Sequence, residues 1–157
     1  MSPLKTYQSK IILLLTQQEL LIAELYRFFS SLYPDTRTFW DDLAREEMEH
    51  ATWVEYFHTK AQSAEVEFQE DQIKTYTVES FVKYLQDSIA KVKEKAPTQQ
   101  AAFALAAGIE NSLLVKKIFD RFQSSDKELG MLLRKLREGM QEHRKRIEKM
   151  AASFPAS

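Results

Sequence analysis

The sequence predicts an all-α fold, and three observations lead to it. Only three glycines and four prolines occur in 157 residues, so few positions favour a turn or break a helix. Leu, Ala, Glu, Lys and Gln, all good helix formers, are abundant. Long stretches also carry apolar residues at steps of three and four, the spacing of one helix face. The length suits a single domain over residues 1–157 with a core large enough to need no covalent staples.

The first helix is expected from about Thr6 to Leu32. Ile12, Leu15, Ile22, Tyr26 and Phe29 form its stripe, and Tyr33-Pro34-Asp35 stops it. The second starts near Thr36 or Thr38 and runs to about Ala61, with Trp40, Leu43, Glu47, His50, Val54 and Phe57 in register. From Gln62 to Tyr76 the period is lost. Thr77 then reads as the N-cap of a shorter helix carrying Phe81, Tyr84, Leu85, Ile89 and Val92, which makes this segment a long crossover containing its own helix. Ala96-Pro97-Thr98 interrupts the chain. A third long helix follows to about Phe122, with Phe103, Ala107, Glu110, Leu114 and Ile118 on one face. Ser124-Ser125-Asp126 restarts the chain, and the last helix continues to about Ala152 through Leu129, Leu132, Leu136, Met140, His143, Ile147 and Met150. Two halves of similar design emerge, each a helix with an inward Glu followed by a helix with an inward His. The pattern is that of a four-helix bundle with one long crossover.

Composition narrows the chemistry. With no cysteine there are no disulfides, iron–sulfur clusters or thiolate zinc sites, so any metal would be held by carboxylate or imidazole. A net charge of −1, from 22 basic and 23 acidic residues, offers no argument for nucleic acid. The basic triplet Arg144-Lys145-Arg146 reads as a solvated face. The apolar run Ile11 to Leu15 is too short for a signal-peptide core or a membrane span, so the expectation is a soluble, cytoplasmic chain with no membrane partner.

The unusual feature is a set of polar residues placed in apolar stripes: Glu19, Glu47, His50, Glu110 and His143. A buried carboxylate is costly unless a charge or a metal compensates it, so these are the candidate metal ligands. Glu47 and His50 form a Glu-x-x-His, whose members share a helix face. Glu24 is a rival to Glu19 and would face inward if the stripe is read as Leu14, Leu21 and Phe28. His58, near a helix end, is left outside the site. Tyr26 lies on the stripe of Glu19 and can orient a ligand through its hydroxyl.

Around these positions the chain resembles the rubrerythrin branch of the ferritin-like superfamily. The resemblance is carried by Glu19 with Tyr26, Phe28 and Phe29, by Arg45-Glu46-Glu47-Met48-Glu49-His50-Ala51, by Ala106-Ala107-Gly108-Ile109-Glu110-Asn111, and by Gln141-Glu142-His143-Arg144-Lys145-Arg146. It implies a ferritin-like four-helix bundle, a di-iron carboxylate site with Glu47 bridging, and a peroxide- or oxygen-handling oxidoreductase of oxidative stress. It also implies a homodimer, for which Trp40, Trp53, Tyr56 and Phe57 offer aromatic surface, and an external electron donor, since there is no cysteine for a built-in rubredoxin. The chain departs from the pattern at Met140, three residues before His143, where the family has its second bridging glutamate. Three inward acids match one divalent ion better than two, so iron in one or two copies, zinc and manganese all remain in view. A non-catalytic bundle with a reduced or empty site is the alternative.

Overall fold

Five α-helices dominate the structure, a computed structural model that describes residues 4–62, 66–68, 75–116 and 122–153. They are α1 (Thr6–Leu32), α2 (Arg37–Ala61), α3 (Thr75–Glu94), α4 (Gln99–Lys116) and α5 (Lys127–Ala152). The all-α expectation is borne out. A single 3-10 turn, Pro34–Thr36, joins α1 to α2, with proline at its first position, where no backbone N–H is needed. Asp126 caps α5, its Oδ1 accepting the Leu129 N–H at 3.1 Å.

Three expectations about the elements are corrected. Helix α3 begins at Thr75, so Thr77 lies in its first turn and is not its N-cap. Val78, three residues after Thr75, is already buried. Within α3, Tyr84 is 45% exposed, and Val82 joins Phe81, Leu85, Ile89 and Val92 on the buried face. Phe122 belongs to a strand and not to the third long helix. Strand β1 (Val66–Phe68) pairs antiparallel with β2 (Phe122–Ser124), Val66 facing Ser124 and Phe68 facing Phe122. Val-Glu-Phe and Phe-Gln-Ser carry β-branched and aromatic residues that favour such a ladder. Ile118 and the side chain of Leu114 lie outside the described residues.

Named contacts fix the directions of the helices. Tyr26 on α1 bonds Glu110 on α4, and Thr36 just beyond α1 bonds Gln99 at the start of α4, so the two helices run antiparallel. Glu46 and Glu47 on α2 meet Arg146 and His143 on α5, while Lys60 meets Glu128, so these also run antiparallel. Lys10–Glu79 and Glu24–Lys93 keep the same sequence offset, which makes α3 parallel to α1.

Between α1, α2 and α4 lies an aromatic layer. Trp40 stacks on Phe103 with centroids 5.0 Å apart and meets the edge of Phe29 at 4.9 Å. Such pairs add to the burial of the rings themselves. Trp40 is fully buried and Phe57 is 3% exposed, which overturns their expected place on an aromatic docking surface. Of these four aromatics only Tyr56 remains well exposed, and Trp53 is half-buried. Among the described residues no helix is long and apolar enough to cross a membrane.

Candidate metal centre

All five ligands expected from the sequence are buried. Relative exposure is 0% for Glu19 and Glu110, 1% for Glu47 and His143, and 4% for His50. Glu19 comes from α1, Glu47 and His50 from successive turns of α2, Glu110 from α4 and His143 from α5. Each stands where its helix stripe demands an apolar residue, so the helices turn these side chains inward as they bury their own faces.

His143 Nδ1 lies 2.7 Å from Glu47 Oε1 and 3.6 Å from Glu110 Oε1. His50 Nδ1 lies 3.5 Å from Glu47 Oε2. The imidazoles of His50 and His143 stack at 5.0 Å. Donor atoms from Glu47, His50 and His143 all fall within 4.8 Å of one another, close enough to share one cation. Both oxygens of Glu19, Oε2 of Glu47, Oε2 of Glu110 and Nδ1 of His50 have no hydrogen-bond partner among the described residues. Orphaned buried acceptors on this scale need an explanation, and a divalent ion supplies one.

Tyr26 donates its hydroxyl to Glu110 Oε1 at 2.8 Å, so it steadies a candidate ligand as anticipated. Glu24 is exposed and pairs with Lys93 at 3.0 Å, leaving Glu19 as the inward acid of α1. His58 sits in the last turn of α2 beside Gln62. Met140 is 3% exposed and puts a thioether where the resemblance places a carboxylate. Glu138 and Glu142 are exposed and do not replace it.

Charge in the cluster is shared out by protons. Burial, reinforced by the charges of Glu47 and Glu110, pushes the Glu19 carboxyl well above its ordinary range. Burial and the Glu47 charge raise Glu110 to about 7. Glu47 itself is held well below the usual range: burial opposes ionisation, but contacts with Glu19, His143 and His50 outweigh it. His143 is pushed up to about 12, the carboxylates of Glu47, Glu110 and Glu46 overcoming burial. Without metal the cluster is therefore a Glu47–His143 ion pair flanked by protonated Glu19.

This sharing sets the sign of stability against pH. Between pH 4.5 and 7 the native protein keeps the Glu110 proton that the unfolded chain releases, so stability falls over that interval by about 3 kcal/mol. The His143 contribution is fully present below pH 6.5 and declines as pH rises from there toward 12. Glu46 and Glu47, both lowered, lose their contribution as pH falls below 4.5. Metal-free protein is expected to be most stable near pH 5. Thermal unfolding in chelator from pH 4 to 9 checks this, and a maximum near pH 8 would contradict it.

Three neighbours of the centre are not assigned to it from the sequence. Gly139 lies against His50, and a Cβ there would be 2.5 Å from Nε2, so the ring fits only because that side chain is missing. Glu46 is held by Arg146 and approaches the far side of His143. Trp53 packs against His50 at 5.3 Å. A cleft of ≈ 160 Å³ between α2 and α5, rimmed by Glu49, Trp53, Lys135 and Glu142, reaches the outer edges of both imidazoles.

No known protein family, curated protein or solved structure matches the chain.

Proposed function

We propose that this chain is a metal-binding protein of ferritin-like, four-helix-bundle design, with α3 as the crossover helix, similar in its site to the rubrerythrins. The observation that carries the reading is the convergence of Glu47, His50 and His143 within 4.8 Å, beside buried carboxylate oxygens that lack donors. One divalent ion on these three residues is neutralised by Glu47 and one of Glu19 or Glu110, leaving the third acid protonated. Two histidines and carboxylates suit iron, manganese or zinc.

A second reading, a two-iron peroxide- or oxygen-handling oxidoreductase, is favoured by Glu19, a further carboxyl that is fully buried beside Glu47. Iron held there would supply redox chemistry toward oxygen or peroxide. The chain's own residues would bind it, exclude water by burial and orient Glu110 through Tyr26. An external electron donor, a homodimer and a cytoplasmic setting belong to that reading. Met140 weighs against it, because a thioether is a poor ligand for iron and is itself oxidisable.

Metal analysis after anaerobic iron loading separates the readings. One ion per chain is the expected result; two would favour the oxidoreductase reading, and none would leave a structural bundle with a proton-compensated core.

A further inference from the structure

The two imidazoles are held from outside by different means. His50 turns its Nε2 toward Gly139, where only the missing side chain gives it room. His143 meets a carboxylate at each nitrogen: Nδ1 lies 2.7 Å from Glu47 Oε1 on the inner side, and Nε2 lies 3.6 Å from Glu46 Oε2 on the outer side. Glu46 and Glu47 are consecutive on α2 and therefore about 100° apart around the helix, which is what lets them reach opposite edges of one ring. Glu46 is fixed in turn, because Arg146 Nη1 donates to its two oxygens at 2.9 and 2.7 Å. Arg146 stands one turn beyond His143 on α5, so the helix that presents the imidazole also presents the anchor of its outer partner.

We propose that Glu46, anchored by Arg146, is a positioning residue that grips the outer edge of His143 and keeps its Nδ1 aimed at Glu47. When an ion takes Nδ1 the ring is neutral and its proton stays on Nε2, 3.6 Å from the Glu46 carboxylate, an electrostatic contact that favours this tautomer. The grip on the ring is a property of this chain alone; its consequence for a bound ion rests on the metal-centre reading above. The ring is 1% exposed, while Glu46 and Arg146 are about one-third exposed at the side chain, so the pair links a buried ligand to the surface.

The test compares wild type with Glu46→Ala, which removes the acceptor, and Glu46→Gln, which keeps an acceptor oxygen. In metal-free protein, side-chain proton–nitrogen NMR is expected to show a slowly exchanging Nε2–H on His143 in wild type and Glu46→Gln, lost in Glu46→Ala. With Co²⁺ as the probe, release into excess chelator is expected to be ~10–100-fold faster from Glu46→Ala and close to wild type from Glu46→Gln. Unchanged exchange overturns the proposal, as does an exchange that changes while cobalt release does not. If wild type takes up no Co²⁺, the metal reading fails, and the grip on His143 is then decided by the exchange measurement. Should Glu46→Ala not fold, Arg146→Gln, which leaves Glu46 unanchored, is expected to shift both readouts in the same direction, and no shift would overturn the proposal.

Discussion

On the metal-centre reading proposed above, lowering the pH from 7 to 6 is expected to weaken ion binding by roughly 100-fold. The direction follows from the protons that the empty cluster holds. His143, raised to about 12, must lose a proton before Nδ1 can bind an ion. Glu47 is already ionised and releases nothing. Glu110, raised to about 7, is protonated near pH 6, and burial makes Glu19 hold its proton well above the ordinary carboxyl range. One ion that takes His143 and one of these acids therefore expels about two protons, and affinity changes by ~10² per pH unit. Calorimetric titration in buffers of different ionisation enthalpy counts the protons directly. About three would mean that all the acids ionise and favour two ions, whereas none would place the metal away from these residues.

Met140→Glu is expected to destabilise metal-free protein and, on the metal-centre reading, to raise the ions bound from one to two per chain. Met140 is 3% exposed and one turn from His143, so a carboxyl there joins a cluster that already protonates Glu19 to limit its charge. Burying a further acid without a partner costs roughly 3 kcal/mol, a fall in melting temperature of about 10 °C for a chain of this size. Metal should more than reverse the loss, because the new carboxylate completes a second Glu-x-x-His with His143. Unfolding curves with and without Fe²⁺, together with metal content, check both halves. A variant that stays destabilised and binds no additional metal would show that the site geometry cannot take a second ion.

The ligands were legible because each interrupts an apolar stripe, and a stripe interrupted by an acid is visible in one dimension. Glu19 is separated from Glu24 by the resemblance, whose spacing to Tyr26 and Phe29 it matches, and the structure buries the first and exposes the second. What escaped depends on neighbours from other helices. Glu46 looks like any surface acid until α5 brings Arg146 against it. Gly139 looks like a weak point in a helix until His50 fills the space above it. Trp40 appeared surplus to the core because α2 was credited with one buried face, whereas it packs against α1 and α4 through that ring. The short β1–β2 ladder escaped because three-residue strands carry almost no periodicity.

The parallel course of α3 beside α1 bears on the order in which the molecule is assembled. The α1–α2 hairpin is built from near-neighbour contacts and already contains Glu19, Glu47 and His50. The contacts that complete the cluster join residues 84 positions apart, Tyr26 to Glu110, and 96 apart, Glu47 to His143. Closing loops of that length is entropically slow and waits until the chain has travelled the length of the hairpin and come back. A nascent chain released after α2 would hold three of the donors with nothing to bring them to a focus. The full set of buried acids and imidazoles is therefore assembled only when the second half of the chain has packed against the first.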